Sequence, residues 1–396
     1  MMEPSQSPTS LKELLGGMNV QDFLYTVLET RPLYAGNAIV PLVGALLTTD
    51  QFESILWACR DAVWVINNGT ARPVAVTGAP DPHMSQLYSA YDAGDTAAIY
   101  GLQTRLARIA NLCRDLEIEI LQHGIPLAKP MTANAYLTPT HSQGFNIHRD
   151  PHCVFVIQLS GAKHWEIFSP PTVLPHEEGA RAIDRRTLGQ PVTELTLRPG
   201  DVLYIPRGFP HVARTSDESA LHLTLSLELV SRADAFTDLM KTDGWFRSSL
   251  SPHWTGSVSA ASAINELISK ISQLDIANYR RRRVAVSLAN LSALPHGRLS
   301  SLDHLGKLRR DSVVKRVDRV VCISSVENDE AVLRFPGATL RLDKILSPVF
   351  DFVASVESFT ANDLPALADG AFDALQLTEM LVRNGLVHLD PPTKLA

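Results

Sequence analysis

The sequence predicts an α+β chain with an all-β barrel or sandwich at its middle, helical segments on both sides of it and a small mixed unit at its end. Three observations carry this. From about residue 133 to residue 231, short runs rich in β-branched and aromatic residues alternate with Gly/Pro turns: "NAYLTP", "CVFVIQL", "KHWEIF", "TELTL", "DVLYIP", "HVART" and "HLTLSLEL". Many short strands at such spacing close into a barrel or stack as a sandwich. Outside that region the apolar residues recur every three or four positions, the period of a helix packed on one side. The last block, from about Val320, reads strand, strand, helix, helix, helix, strand, an order that suits a winged-helix-like unit.

Composition agrees with a folded chain. Of 396 residues 45% are hydrophobic and 20% charged, values of globular rather than disordered proteins, and the length suggests roughly two or three domains. The start, "MMEPSQSPTS", lacks the basic-then-apolar layout of a signal peptide. No apolar run nears the ~20 residues that span a bilayer, so no membrane association is expected. Cys59, Cys113, Cys153 and Cys322 lie far apart with no CxxC, which fits a reducing cytoplasm and argues against a zinc knuckle or disulfide scaffold.

In chain order, residues 1–10 read as a disordered tail. Ser10 to Glu13, "SLKE", has the form of a capping box and opens a helix. "TAAIYGLQTRLARIANLCRDLEIEILQHG" is the clearest helical pattern, stopped by Gly124. The barrel follows, with "SGA" between "CVFVIQL" and "KHWEIF" read as a hairpin turn. "ASAINELISKISQLDIANYRRRR" is amphipathic, "SALPHGRLSS" reads as a linker, and Thr360 to Asp363 repeats the capping-box form. The expected domains are 11–231, a barrel with an N-terminal α/β elaboration; 232–300, helical; and 301–396, winged-helix-like.

The chemistry lies in "GFNIHRDPHCVF" and "LRPGDVLYIPRGFPHVA". His148 and Asp150 are two residues apart on a strand and share a face. Alone, this could be a polar edge facing water. Gly200, Pro206, Gly208 and His211 then form G-x5-P-x-G-x2-H. Gly200 and Asp201 turn the chain into a strand, Pro206 and Gly208 set the corner at its far end, and His211 is delivered on the next strand. This is the second motif of the cupin barrel. Two imidazoles and one carboxylate on one face, with open positions left over, are the ligand set of non-haem Fe(II) oxygenases, which makes His148, Asp150 and His211 the candidate metal-binding and catalytic residues.

The segments "NAYLTPTHSQGFNIHRDPHCVFVIQLSGAKHWEIF" and "LRPGDVLYIPRGFPHVARTSDESALHLTLSLEL" resemble the cupin-type JmjC ribosomal oxygenases, Fe(II)- and 2-oxoglutarate-dependent protein hydroxylases with a double-stranded β-helix (jelly-roll) barrel. "GWFRSSLSP" and the terminal block fit that family more weakly. The resemblance implies Fe(II) on the triad and 2-oxoglutarate as co-substrate. It implies that Lys163 anchors the distal carboxylate, with Asn134, Tyr136 and Ser226 also near the co-substrate, that the helices after the barrel make a homodimer, and that the substrate is a ribosomal protein. From the residues alone, a lysine sharing a strand face with Trp165 and Ile167 is costly to bury unless an anion meets it; snorkelling to water is the competing reading. Asn134, Tyr136 and Thr138 alternate on one face, as do His222, Thr224 and Ser226, and an outward polar face would look the same. His222 is either structural or substrate-facing. Cys153 stands where the family often has aspartate, and Arg149, where an aromatic is common, is a second residue that could face substrate. His141, His152, His164 and His176 are expected in solvent or packing roles.

The leading function is thus hydroxylation of a side chain, arginine or histidine favoured, in a basic protein or peptide. The alternatives are a JmjC-type demethylase, a hydroxylase of a natural-product precursor peptide, and a non-enzymatic cupin/winged-helix regulator. Charge weighs against the last. Residues 279–320 carry eleven Lys/Arg and three Asp/Glu, leaving a balance of −14 elsewhere, and "DALQLTEMLVRNGL" offers one cation, Arg383, to a phosphate backbone. Direct DNA binding is not expected. The balance predicts an acidic barrel mouth that steers cationic partners, and the basic stretch is either a solvated helix face or a docking surface for an acidic partner.

Overall fold

Alternation of side chains along short strands builds the first part of the chain. The computed structural model describes residues 10–59, 63–67, 69–74, 80–172, 174, 181–242, 244–247, 260–273, 275–294, 297–367 and 372–389. Residues 1–9 of the expected tail, His176 and the second half of "GWFRSSLSP" lie outside these, while Ser10 caps the first helix. The chain divides into two units, Met1–Glu119 with Pro130–Glu228, and Ile120–Lys129 with Leu229–Ala396.

The first unit holds strands β1 (Leu33–Ala35), β2 (Val63–Asn67), β3 (Thr70–Pro73), β4 (Thr96–Ile99), β5 (Thr132–Thr138), β6 (His148–Arg149), β7 (Cys153–Ser160), β8 (Lys163–Ile167), β9 (Arg181–Ala182), β10 (Thr193–Leu197), β11 (Val202–Ile205), β12 (His211–Arg214) and β13 (Ala220–Leu227). They form an eight-stranded sheet in the order β1-β11-β7-β13-β5-β4-β2-β3 and a five-stranded sheet in the order β10-β8-β12-β6-β9. Two antiparallel sheets of this order make the cupin-type jelly roll expected from the motifs. On β8, Lys163, Trp165 and Ile167 are buried while His164 and Glu166 are partly exposed, the period-two pattern of a strand with one face inward. Strand β7 is buried from Cys153 through Leu159 because both its faces are covered.

Two expectations are corrected here. "SGA" is not a hairpin turn: β7 pairs with β11 and β13, β8 with β10 and β12, so the turn carries the chain from one sheet to the other. Gly161 makes the crossing. Its φ is +61°, and a Cβ there would lie 1.9 Å from the Ser219 carbonyl oxygen. The long helical pattern also starts too early. Thr96–Ile99 is strand β4, fully buried, Gly101 breaks the chain at φ +69°, and the helix proper runs Ala107–Gln122. Its stop at Gly124 holds, with φ +75°. The capping box at Ser10 and Glu13 is present.

The second unit contains helices Arg232–Thr242, Ala260–Ser272 and Ile276–Asn290. Arg298–Asp303 is also helical, where the sequence reads as a linker. Strands β14 (Val314–Arg316), β15 (Ile323–Glu327), β16 (Glu330–Phe335), β17 (Ala338–Asp343), β18 (Ser358–Phe359) and β19 (Val387–Leu389) form two three-stranded sheets, β18-β14-β19 and β15-β16-β17. Leu333 and Phe335 pack with Val349, Phe350 and Val353 of helix Ser347–Ser355 and with Leu377 and Leu381 of helix Ala374–Asn384. Strand β17 was not foreseen. Its Thr339, Arg341 and Asp343 face solvent, so half of it reads as loop. The helix Ile276–Asn290 packs on β16 and β17.

Candidate active site

Strands β6 and β12 pair antiparallel with His148 directly opposite His211. The ring centroids are 4.4 Å apart. Each ring is oriented from behind: Nδ1 of His148 lies 2.9 Å from the Asn146 carbonyl and Nδ1 of His211 3.0 Å from that of Phe209. Donation of Nδ1–H to a carbonyl fixes the tautomer and leaves Nε2 as the free lone pair, the usual support of a metal-bound histidine. Asp150 completes the set. Its Oδ1 is 3.9 Å from His148 Nε2, its Oδ2 is 3.6 Å from His211 Nε2, and the three donor atoms lie within 4.8 Å of one another. Transition-metal bonds of about 2.0–2.2 Å reach across both His–Asp gaps. Burial, and then the neighbouring His148, pushes His211 down to about 4, so its ring is neutral and available as a ligand.

The corner foreseen in the second motif anchors the Asp150 backbone. Gly208, at φ +83°, donates its N–H to the Asp150 carbonyl at 2.9 Å. Behind it is a closed ring of contacts. Tyr204 OH donates to Cys153 Sγ at 3.2 Å and accepts from the Glu29 N–H at 3.0 Å. The Glu29 carboxylate pairs with Arg207 at 2.6 Å, and the Arg207 N–H donates back to Cys153. The thiol thus fills an acceptor position between two strand ends, which explains how the chain tolerates Cys153 where the resembling family often has aspartate.

Lys163 is 4% exposed and Nζ donates to Thr138 Oγ1 at 2.7 Å, which also accepts from Thr96 at 3.1 Å. Among the described residues no carboxylate pairs with it, and burial pushes its ammonium down to about 7. It lines a cavity of ≈ 230 Å³ together with the triad, Asn134, Tyr136, His222 and Ser226. Tyr136 stacks on His222 at 5.1 Å and bonds to Asn134 and Tyr100. Asn134 accepts the Gly101 N–H at 3.0 Å, and Ser226 Oγ lies 2.6 Å from Thr132 Oγ1. Strands β5 and β13 therefore do turn their polar faces inward. Burial, then the Lys163 charge, holds His222 well below its ordinary value. His222 Nδ1 and Trp165 Nε1 are buried on this wall with no hydrogen-bond partner among the described residues. A buried cation and two orphaned polar atoms facing one cavity fit a small polar anion.

Arg149 is not among the residues lining the cavity, and it pairs in register with Arg181 across β6 and β9. His141 is exposed beside Asp217, and His164 lies by Thr196 and Glu194. His152, however, lines the cavity. The same two-residue alternation that links His148 to Asp150 points to it, so the signal was in the sequence. Tyr100 and Ile66 were not foreseen, because they come from strands and turns far upstream. The expected acidic mouth is not found on the cavity wall. Asp150 is the one carboxylate among the described lining residues, and it is balanced by Lys163; the rest is aromatic, imidazole, aliphatic and neutral polar.

A family model described as the JmjC domain matches residues 115–235. The chain carries a JmjC domain. The match contains the triad, Lys163, Asn134, Tyr136, His222 and Ser226, so every site residue named from the sequence falls inside the JmjC domain, while Tyr100 and Ile66 add to its cavity from outside. Curated relatives include the bifunctional lysine-specific demethylase and histidyl-hydroxylase NO66 of Drosophila persimilis, 36% identical over 141 residues, covering 35% of this chain and 19% of the relative. Ribosomal oxygenase 2 of Mus musculus is 45% identical over 96 residues, covering 24% of this chain and 20% of the relative. The chain thus spans about a fifth of the length of these relatives. The solved structure of Escherichia coli ycfD matches over 94% of this chain and 98% of its own, with a TM-score of 0.56 and 17% identity. A second ycfD structure, that of the Escherichia coli ribosomal oxygenase in complex with cobalt and 2-oxoglutarate, matches over 94% of this chain and 99% of its own, with a TM-score of 0.54 and 15% identity. That likeness shows a shared fold. With the JmjC match and the relatives' names, the resemblance to ribosomal oxygenases is borne out.

Proposed function

We propose that the chain is an Fe(II)- and 2-oxoglutarate-dependent dioxygenase that hydroxylates an arginine or histidine side chain of a ribosomal protein. One observation carries the reading: a His–Asp–His set whose Nε2 atoms face Asp150 opens onto the same cavity as a buried lysine that has no carboxylate partner among the described residues. His148, Asp150 and His211 would hold the metal, and Lys163 the distal carboxylate of the co-substrate through a charge-assisted bond. When bound, iron with 2-oxoglutarate and oxygen supplies the oxidising power to hydroxylate an unactivated C–H bond, with succinate and carbon dioxide released. The chain's own residues position and shield. The Nδ1 bonds keep both imidazoles in the ligand tautomer, the Gly208 N–H fixes the backbone of Asp150, and Tyr100, Tyr136, Phe145 and Trp165 give the cavity an aromatic wall of edge-to-face rings. Such a wall suits a flat guanidinium or imidazole. Relatives named histidyl-hydroxylase and ribosomal oxygenase support this substrate class.

The name of the Drosophila relatives also carries a lysine-specific demethylase activity, and one experiment separates the outcomes. Ribosomal proteins incubated with the enzyme, iron, 2-oxoglutarate and oxygen are read by intact mass. Hydroxylation adds one oxygen atom to one protein; demethylation removes methylene units and releases formaldehyde. No mass change in any ribosomal protein defeats the substrate proposal. A DNA-reading regulator is disfavoured, because Arg383 already bonds Glu379 through both Nε and a terminal nitrogen.

The domain division 11–231, 232–300 and 301–396, the winged-helix-like character of the last part and a homodimer through the helices of residues 232–291 belong to the same proposal. Phe236, Ile268 and Ile276 are exposed on those helices, as a covered apolar face requires, and a monomer by light scattering at micromolar concentration would contradict the dimer. A cytoplasmic location fits the four free cysteines, and no described helix is long and apolar enough to cross a membrane.

A further inference from the structure

The basic stretch from residue 279 to residue 320 is partly spent on the fold. Arg280 donates to the Gly124 and His123 carbonyls, Arg310 pairs with Asp373, Arg316 donates to the Val353 and Val356 carbonyls, and Arg319 pairs with Asp318. Arg281 and Arg282 are different. Both are exposed, and of the two Arg282 lies near enough to Glu327 to lower its carboxyl. They overhang a cleft of ≈ 420 Å³ whose other wall is strand β15.

Among the described residues strand β15 is an edge, paired to β16 alone. The two-residue turn Asn328–Asp329, both left-handed at φ 50° and 62°, closes on the pair Glu327 and Glu330. A two-residue hairpin loop makes its closing pair a hydrogen-bonded one, and such pairs alternate. Residues 327, 325 and 323 therefore spend their backbone groups on β16, while the N–H and C=O groups of Ser324 and Val326 point to the open edge. Natural edges are usually blunted by proline, lysine or a bulge. This one, "ISSVE", has none of these; its register is unbroken and Val326 is 47% exposed.

We propose that this cleft docks an extended acidic peptide segment, which adds to β15 as a fourth strand of the β15-β16-β17 sheet while its carboxylates meet Arg281 and Arg282. The carboxylates already at the site are matched. Glu327 is held by Arg334 at 2.6 and 2.8 Å and by Arg341 at 3.5 Å, Glu330 by Arg341, and Asp329 by Lys344. Arg282 adds its charge to those already facing Glu327, and with Arg281 it leaves the cleft with more positive than negative charge. A nucleic-acid backbone could use that charge but cannot satisfy the alternating donors and acceptors of the edge; a peptide strand satisfies both. This surface is separate from the proposed oxygenase reaction and does not depend on it.

The test uses the full chain and a random-peptide display library. Selected peptides are expected to alternate Asp/Glu with β-branched residues. A fluorescein-labelled peptide from the selection, followed by anisotropy, is expected to bind roughly tenfold or more weakly to Val326→Pro, which removes an outward N–H without touching the β16 ladder. The surface double variant Arg281→Glu with Arg282→Glu is expected to show a similar loss, and it covers the case in which the proline variant fails to fold by circular dichroism. Peptides without acidic bias, an absence of any enriched peptide, or equal binding to the wild type and the arginine variant would overturn the proposal. So would arginine-dependent binding of a single-stranded RNA oligonucleotide with no peptide selected.

Discussion

Replacing Lys163 by methionine separates stability from co-substrate binding. The side chain is 4% exposed, and burial lowers its ammonium from 10.5 to about 7. Between those values the unfolded chain holds the extra proton, so the stability of the wild type rises with pH across that window and is flat below it. Near pH 7 the buried lysine costs on the order of 4 kcal/mol, less about 1 kcal/mol returned by its bond to Thr138. Lys163→Met, of similar length and uncharged, is therefore expected to raise stability near neutral pH and to lose the pH dependence. The same change removes a charge-assisted partner for a carboxylate, about 1.5–3 kcal/mol, so 2-oxoglutarate should bind roughly 10- to 150-fold more weakly. In the wild type the neutral amine must take up a proton to bind, so affinity should fall about tenfold for each pH unit above 7, and in the variant it should not. Calorimetry with a redox-inert divalent ion reads affinity, and urea unfolding reads stability. A variant that binds 2-oxoglutarate within twofold of the wild type, or a wild-type affinity that stays flat above pH 7, would refute the reasoning.

Two further outcomes follow from the site. Tyr204→Phe removes the donor to Cys153 and the acceptor of the Glu29 N–H, and urea unfolding should show a loss of about 1 kcal/mol or somewhat more, with no change in 2-oxoglutarate affinity. His152→Ala clears a cavity-lining imidazole that is not one of the three ligand residues; steady-state kinetics should show a raised KM for the protein substrate with iron and 2-oxoglutarate affinities unchanged.

The site was legible because strand alternation and turn chemistry are local. His148 and Asp150 share a face by period two, and Gly200, Pro206 and Gly208 place His211 with no distant information. The barrel could be read for the same reason. What could not be read was the pairing of distant strands. "SGA" has the composition of a hairpin turn, yet Ala220 and Ser219 sit against Gly161, so the chain has to cross between sheets there. Thr96–Ile99 has helical neighbours in sequence but lies between β2 and β5 in space, and pairing with both overrides its local pattern. The carboxylates expected at the mouth are not on the cavity wall, because a summed charge says nothing of where carboxylates sit. Asp95 shows this: it is buried and bonded to Asn67 rather than facing substrate.

The central claim is that His148, Asp150 and His211 hold one iron ion that turns over 2-oxoglutarate. The direct measurement pairs iron content with succinate formation for the wild type and His211→Ala, each reconstituted anaerobically and then exposed to oxygen. One iron per wild-type chain with succinate formed, and loss of both in His211→Ala, is the predicted result. Stoichiometric iron and full turnover in His211→Ala would contradict it.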